Sequence, residues 1–343
     1  MYVFSNGAYP FTAPYTEDGR FGSVQALNSS GNVLVGNRNP LIDLSNGKTR
    51  FENNFYKMNV FGDVRFTDYL NLKLNFTSQY NNNLSDKYYQ DIFGYTHAGL
   101  RTNNLQPFPV EISRNNVQST YNIMYNTLHF NKNFDGKHDI SAIVGMQVES
   151  TVFKNSFARR TDPPKEGLTE VDAGTSGFQA NGNMSALRML SYFGRVNYSL
   201  LDKYLFEMNL RADASSRFKE GYRWGMFPAF SAGWRLGEEE FIKNMNVFSD
   251  LKLRASWGKL GNQNINAYWP YLAVVNQANA LSYNFSGSFA PGAAITSLVD
   301  ETISWETAVT TDIGVELGLL NNRLSIEADY FTKTTTGIIV QLP

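Results

Sequence analysis

The feature that most constrains the fold of this chain is a repeated two-residue alternation of apolar and polar side chains. Between residues 70 and 80, the apolar positions are Leu70, Leu72, Leu74, Phe76 and Tyr80, and the polar positions between them are Asn71, Lys73, Asn75, Thr77 and Gln79. Successive side chains of a β-strand point to opposite sides, so the segment predicts a strand with one apolar and one polar face. Its length matches the roughly 9–11 residues with which a tilted strand crosses a membrane.

The same alternation recurs along the rest of the chain. Further segments of this kind are 56–66, 121–130, 140–148, 192–198, 204–210, 230–236, 251–257, 309–317 and 324–330. They predict a sheet of roughly ten to twelve strands with one apolar side. We expect Ile140, Val144, Met208, Leu210, Leu253 and Val315 on that side, with Lys73, Glu207, Arg254 and Glu316 on the other.

The connections between these segments alternate in length. Short turns are predicted near Asp68, Gly136, Asp202 and Asn322, and longer connections at 81–119, 151–188, 214–226 and 259–305. Outer-membrane barrels have short turns at one end and long loops at the other. The connection 237–250 is longer than the other turns on its side, and its Glu238–Lys243 run predicts one or two helical turns. We interpret Glu238, Glu239 and Glu240 as a solvated face, with a Ca²⁺ site as the alternative.

Charged residues in the middle of the predicted strands indicate which face meets water. Glu207, Arg211, Lys252 and Arg254 all lie at mid-strand on the polar side. Such charges would be costly in lipid, so we expect them to face a wet or plugged lumen. An eight-stranded barrel fills its interior with its own side chains, so a charged lumen favours a wider barrel.

Composition excludes several other classes. The mean hydropathy is -0.33 and no continuous apolar run reaches the roughly 18 residues of a membrane helix, whereas a membrane β-barrel needs no such run. The net charge of -1 gives no electrostatic basis for binding nucleic acid. With no Cys and only His97, His129 and His138 as histidines, we expect no disulfide, no metal site and no catalytic thiol. We expect no cofactor.

Several sequence blocks, in order, resemble the SusC/RagA family of TonB-linked outer-membrane transporters. The resemblance runs from about residue 191 to 340 and is carried by SYFGRVNYS, RADASSRF, RWGMFPAFSAGWR, EEEFIKN, DLKLRASWGKLGNQNI and WETAVTTDIGVELGLLNNRLSIEADYFTKTT. Ala214 stands where the family usually has Gly, and Lys259-Leu260 replaces a commoner Gln-Thr. Residues 1–190 match more loosely, through their strand pattern.

The resemblance implies an all-β fold, a transmembrane antiparallel up-and-down β-barrel. Family barrels have about 22 strands, so residues 1–343 are expected to be one barrel segment of about half that size. The N-terminal plug and the C-terminal strands are expected to lie outside this sequence. Met1 is not followed by a signal peptide, although an outer-membrane protein must be exported, which predicts that the sequence is an internal fragment or an incomplete gene.

The function implied by the resemblance is import across the outer membrane, not enzymatic catalysis. The expected cargo is an oligosaccharide or a peptide, delivered with a SusD-like surface lipoprotein and driven by TonB–ExbB–ExbD acting on the plug. One alternative is a passive or structural outer-membrane barrel, which a plug and TonB box would exclude. Another is a secreted glycan-active β-sandwich enzyme, which a row of Lys or Arg at mid-strand facing a solvated lumen would exclude.

The best candidates for cargo contact are aromatic residues in the longest connection. Tyr268, Trp269 and Tyr271 flank a proline in the sequence Tyr-Trp-Pro-Tyr. Exposed aromatic rings stack on sugar faces, and the alternative is packing within the loop or at the membrane interface. By contrast, the Trp224–Pro228 segment is interpreted as a structural turn with interfacial aromatics. Gly258–Asn262 lacks the Ser or Thr that a phosphate-binding loop needs after its lysine.

Overall fold

The computed structural model describes residues 14–22, 24–27, 33–37, 39, 41, 45, 47–89, 94–95, 110–165, 167–265, 267–273, 275–277, 283–285, 288–290, 292–295 and 299–339. Within these ranges, no helix is both long enough and apolar enough to cross a membrane.

Among the described residues, ten strands form one sheet, in which almost every strand pairs with its neighbours in the sequence. Its strands are β3 (Gly47–Thr67), β4 (Leu70–Tyr89), β5 (Glu111–Phe134), β6 (His138–Thr161), β7 (Ser176–Leu200), β8 (Tyr204–Ser215), β9 (Trp224–Trp234), β10 (Phe248–Asn262), β15 (Glu306–Leu319) and β16 (Leu324–Thr336). The spatial order runs from β3 to β10 and then to β15 and β16, so the topology is an up-and-down meander. A sandwich needs two sheets packed face to face, so this single meander contradicts the sandwich alternative.

The remaining elements are short. β1 (Val24–Leu27) pairs with β2 (Val33–Asn37), and the long connection after β10 holds two small hairpins. These hairpins pair β11 (Val275–Gln277) with β14 (Ala293–Ile295) and β12 (Tyr283–Phe285) with β13 (Ser288–Ala290). The predicted helical turns are confirmed as a 3-10 turn at Leu236–Glu238 and the helix α1 at Glu240–Lys243.

The predicted short turns are confirmed, and their backbone suits tight hairpins. Leu201 and Asp202 both have a φ of 55°, which is the left-handed conformation that two-residue hairpin turns require. The turn before β6 uses Asp135 at 53° and Gly136 at 65°. Short polar or glycine residues tolerate this region best, so Asp135, Gly136 and Asp202 favour these turns, whereas Leu201 adopts the conformation without that preference.

The described chain divides into two compact units. Unit 1 comprises Met1–Tyr56, Tyr80–Ser119 and Phe153–Met184, and unit 2 comprises Lys57–Gln79, Thr120–Val152 and Ser185–Pro343. Strands β3 to β7 each have part of their length in both units, since the boundaries at Tyr56, Gln79, Ser119, Val152 and Met184 fall inside them. Unit 2 therefore holds the alternating parts of these strands, and unit 1 holds their extensions.

The extensions correct the prediction that 81–119 and 151–188 are loops. β4 continues to Tyr89, β5 begins at Glu111, and β6 and β7 cover most of the second segment. Runs such as Asn81-Asn82-Asn83 lack alternation, but strand pairing needs only backbone donors and acceptors. Within unit 1, ion pairs link neighbouring strands, with Arg114 Nε 2.6 Å from Asp86 and Arg159 Nε 2.8 Å from Glu111.

Cross-strand register in unit 2 sorts side chains into two faces. One row runs across five strands through Val196, Met208, Phe230, Trp257 and Thr311. The adjacent row runs through Asn197, Glu207, Ser231, Ser256 and Asp312. Directly paired residues share a face, so the register confirms that Met208, Leu210, Leu253 and Val315 lie opposite Glu207, Arg254 and Glu316. We call these two sides the apolar face and the polar face.

Stacked aromatic pairs mark the two ends of the apolar face. Tyr204 and Trp234 stack with ring centroids 6.0 Å apart near the short turns, and Tyr192 and Trp224 stack at 6.2 Å near the opposite end. Ten residues of β9 separate the two tryptophans, a rise of about 33 Å along the strand. With a strand tilt of about 40°, that rise spans about 25 Å, the height of the apolar band of an outer-membrane barrel.

We expect Met208→Arg to destabilise the protein in a bilayer by about 2–4 kcal/mol, because the new charge would lie on the apolar face at mid-strand. Ser231→Arg is the control, since its side chain would lie on the polar face beside Glu207. Urea unfolding from phospholipid vesicles measures both changes. Equal costs for the two variants would contradict the assignment of the faces.

Glu239 ties one short-turn aromatic pair to the connection before β10. Its carboxylate accepts hydrogen bonds from Tyr204 Oη at 2.8 Å, Trp234 Nε1 at 3.1 Å and Lys203 Nζ at 3.1 Å. These hydrogen bonds, led by that from Tyr204, hold the pKa of Glu239 below its ordinary value of 4.5. The neighbouring Glu238 pairs with Lys243, which likewise lowers its pKa.

The Glu239 contacts predict a pH-dependent contribution to stability. Since its pKa is lower in the folded state than in the unfolded chain, the stabilisation is fully present above pH 4.5 and is lost as the pH falls through the folded pKa. We expect Glu239→Gln to unfold at lower urea concentration than wild type at pH 7, with the difference shrinking as the pH is lowered to 3. Glu240→Gln, at an exposed neighbouring carboxylate, controls for the loss of charge. A difference independent of pH would argue against this assignment.

Candidate functional site

The densest charge cluster on the polar face surrounds Arg254 of β10. Its Nη2 lies 2.6 Å from Glu327 Oε1 and 2.7 Å from Asp329 Oδ1, both on β16. Its Nε lies 3.3 Å from Glu316 and its Nη1 lies 3.6 Å from Asp312, both on β15. One guanidinium thus links three adjacent strands.

A glycine makes the long reach of Arg254 possible. Gly314 pairs with Arg254 on one side and with Asp329 on the other. A Cβ on Gly314 would collide with Asp329 Oδ1 and lie 2.8 Å from Arg254 Nε. The missing side chain therefore opens the path by which the guanidinium crosses β15 to β16.

The cluster leaves this part of the polar face acidic. Lys252 is 3.1 Å from Glu316, so two cations face the four carboxylates of Asp312, Glu316, Glu327 and Asp329. The balance is two formal negative charges. A depression of about 440 Å³ lies alongside, lined in part by Glu207, Lys252, Arg254 and Asp312.

Polar contacts continue across the strands on the other side of this depression. Asn197 donates to Ser141 at 3.1 Å, and Arg195 donates to Asn209 at 2.8 Å. Arg211 donates to Asp213 at 2.9 Å and to Gln147 at 3.3 Å. The polar face thus satisfies most of its charges within the sheet while leaving them accessible to water, as a water-filled lumen requires.

Replacing Arg254 should unbalance four carboxylates at once. We expect Arg254→Gln to lower the free energy of unfolding, because like charges then face each other without their shared partner. Arg254→Lys should recover only part of that loss, because an ammonium cannot reproduce the planar fork that reaches both strands. Lys252→Gln is the control for charge and should have a smaller effect. Urea unfolding in vesicles at low and high salt measures the stability of each variant. Equal losses of stability in Arg254→Gln and Lys252→Gln would contradict the central role of Arg254 in the cluster.

The predicted cargo residues lie together in one turn after β10. Leu272 N donates to Trp269 O at 3.1 Å, closing a turn around Pro270 and Tyr271. The Tyr268 and Trp269 rings are 6.1 Å apart at an angle of 49°. Trp269 is exposed, whereas Tyr268 and Tyr271 are half-buried. We call residues 268–271 the aromatic turn.

Arg217 anchors the aromatic turn, and the sequence analysis did not identify this role. The residue lies in the connection between β8 and β9, where its Nη1 donates to Ala267 O at 2.6 Å and also to Ile265 O. Its guanidinium carbon lies 5.5 Å from the centroid of the Tyr268 ring. The only sequence clue was its position in the RADASSRF block, which does not show which segment it contacts.

An aromatic cluster stabilises the structure behind Arg217. Phe218 is fully buried, and its ring centroid is 5.4 Å from that of Trp305, while Phe227 lies 5.2 Å from Trp305. Trp305 Nε1 donates to Arg223 O at 2.8 Å. Gly225 and Gly261 leave the space that the Phe227 ring occupies. Four separated sequence blocks therefore meet in one cluster.

A polar pocket of about 340 Å³ lies beside this cluster. Its lining includes Met189, Asp213, Arg217, Gln263 and Trp305. Arg217 is thus shared between the pocket and the aromatic turn. The arrangement provides an uncharged aromatic surface and a set of hydrogen-bonding groups next to each other, which suits recognition of a polar, neutral ligand.

Comparison with known proteins gives a consistent assignment. The family described as "TonB dependent receptor-like, beta-barrel" matches residues 4–343. The TonB-dependent receptor SusC of Bacteroides thetaiotaomicron is 37% identical over 222 residues, which are 64% of this chain and 22% of SusC. The TonB-dependent receptor P3 of Formosa agariphila is 27% identical over 290 residues, 84% of this chain and 28% of that protein.

A solved structure has the same fold. The structure of the RagAB peptide transporter aligns with a TM-score of 0.76 at 22% identity, covering 95% of this chain and 34% of that chain. A second RagAB structure, in the closed-closed state, aligns equally well over 93% of this chain. The chain therefore spans about a fifth to a third of the length of these proteins.

Proposed function

Because the chain belongs to the TonB-dependent receptor-like β-barrel family, we propose that it forms part of the barrel wall of a SusC/RagA-like outer-membrane importer. The observation that carries this proposal is the division of one sheet into two faces by register. One face presents an apolar band bounded by aromatic pairs, and the other presents the Arg254 ion-pair cluster. Lipid on the first side and a wet lumen on the second satisfy both faces.

We further propose that residues 1–343 are one segment of the barrel, and that the plug and the remaining strands belong to other parts of the transporter. The ten strands of the sheet would then be about half of a wall of about 22 strands. Members of this family are transporters and not enzymes, so the secreted enzyme alternative is dropped.

The proposed cargo is an oligosaccharide or a peptide that carries little net charge. Support comes from the aromatic turn and from the pocket shared with Arg217, whose lining carries no net formal charge because it contains one acid, Asp213, and one base, Arg217. The acidic surplus around Arg254 would disfavour anionic cargo. Among its relatives, the solved RagAB complex is described as a peptide transporter, and we treat that cargo as one of two candidates here.

The proposed partners follow from the same family membership. A SusD-like surface lipoprotein would deliver the cargo, as the paired name RagAB suggests for that complex. The TonB–ExbB–ExbD system would supply energy by acting on the plug. Deleting the gene for TonB should abolish concentrative uptake, and uptake that survives such a deletion would favour a passive barrel instead.

The aromatic turn gives the sharpest test of cargo contact. We expect Tyr268→Ala, Trp269→Ala and Tyr271→Ala, combined in one variant, to reduce uptake of the cognate oligosaccharide or peptide at least tenfold, because each lost ring contact weakens stacking by about 0.5–1.5 kcal/mol. Uptake of labelled cargo by cells that depend on the protein is the measurement. Surface abundance is quantified in parallel.

Tyr283→Ala is the matched control. Tyr283 is an exposed aromatic in the same long connection but lies outside the aromatic turn. Its loss should leave uptake unchanged. If the triple variant also imports normally at normal surface abundance, the three rings serve loop packing only and the proposed cargo contact is wrong.

A further inference from the structure

We propose that Arg217 is a positioning residue that determines cargo affinity by holding the aromatic turn in its binding conformation. This inference rests on the proposed function, since it assumes that residues 268–271 contact cargo. It deepens that proposal by naming the group that orders the contact surface.

The guanidinium of Arg217 contacts both the backbone that leads into the aromatic turn and the first ring of that turn. One terminal nitrogen donates to the carbonyls of Ile265 and Ala267, the residues that lead into the aromatic turn. The guanidinium carbon also lies over the Tyr268 ring, 5.5 Å from the ring centroid. Two carbonyls and one ring are therefore held by a single side chain, which restricts both the backbone and the first aromatic side chain of the turn.

The connection that carries Arg217 is itself held in place by hydrogen bonds and by a buried aromatic side chain. Its backbone N donates to Ser215 Oγ at 3.2 Å, and the next residue, Phe218, is fully buried against Trp305. Arg223 Nε closes the connection by donating to Phe218 O at 3.1 Å. A side chain whose backbone is held in place can restrict the conformation of the loop that it contacts.

The charged residues near Arg217 form ion pairs with partners other than Arg217. Asp213 pairs with Arg211, and Lys219 pairs with Glu301. Among the residues that the structure describes, Arg217 forms no ion pair, so its hydrogen bonds go to main-chain carbonyls. A side chain needed only for charge balance would be expected beside a carboxylate. Its use as a carbonyl clamp indicates a role in loop geometry.

Preordering of this kind increases affinity without adding a contact to the cargo. An unanchored turn must lose its conformational freedom on each binding event, which weakens binding while leaving later steps unchanged. Lysine cannot replace arginine here, because its ammonium offers no plane for the Tyr268 ring, and its donors rotate freely on a flexible stem instead of being held in the plane of a guanidinium. The conservative variant should therefore fail as well, although it keeps the charge.

The experiment compares Arg217→Lys and Arg217→Ala with Lys219→Ala, a control at a basic residue in the same connection. Uptake is measured over a range of concentrations of the cognate oligosaccharide or peptide. In parallel, acrylamide quenching of purified protein in detergent is measured with and without Trp269→Phe, which isolates the emission of Trp269. Heat-modifiable gel mobility confirms that each variant is folded, and Arg217→Lys alone suffices if the alanine variant does not fold.

We expect Arg217→Lys to raise the half-saturating cargo concentration about five- to tenfold, with the maximal uptake rate within about twofold of wild type and with greater quenching of Trp269. Lys219→Ala should change neither quantity. Unchanged quenching in Arg217→Lys would overturn the inference, because the turn would then be ordered without the guanidinium. Greater quenching with an unchanged half-saturating concentration would overturn it too. In that case, the triple variant of the aromatic turn tests the cargo contact separately. Reduced uptake by the triple variant would reject only the role of Arg217. Normal uptake would reject both the role of Arg217 and the cargo contact of the aromatic turn.

Discussion

The backbone hydrogen-bond ladder between neighbouring strands is the constraint on which the rest of this structure depends. In lipid, every peptide N–H and C=O must find a partner within the protein, because an unsatisfied group costs several kcal/mol. The ten-stranded meander meets that demand between adjacent strands. Once the ladder is formed, it determines which side chains are cross-strand neighbours. A shift of the pairing register by one residue would move every side chain of a strand to the other face of the sheet.

The register explains why charge and glycine occur where they do. Arg254 can reach carboxylates on two strands because the ladder places Gly314 between it and Asp329. The same ladder aligns Val196, Met208 and Phe230 into one apolar row. The apolar face and the polar face of the sheet are thus two consequences of the same strand register.

At the end of the sheet away from the short turns, side-chain packing replaces the ladder as the organising interaction. Phe218, Phe227 and Trp305 form a small core there, and Arg217 extends order from this core to the aromatic turn. Rigid strands that present a loop through a few anchored contacts are a common way to combine stability with recognition. The barrel wall and the proposed cargo contact therefore depend on different interactions, and variants can separate them.

The prediction from sequence was most reliable where the interaction is local. Two-residue alternation determined the faces of the strands, and the residues at Asp135-Gly136 and Leu201-Asp202 determined tight turns, because both depend on neighbours within a few positions. Tyr268, Trp269 and Tyr271 were identified as a group for the same reason, and their role in cargo contact stays a prediction. The strand extensions in 81–119 and 151–188 were missed, because pairing through backbone groups leaves no side-chain pattern. The Arg254 network and the Arg217 anchor, which join residues 48 to 75 positions apart, were decided only by the tertiary structure. Such contacts depend on register and packing across separate strands, which no local pattern of residues encodes.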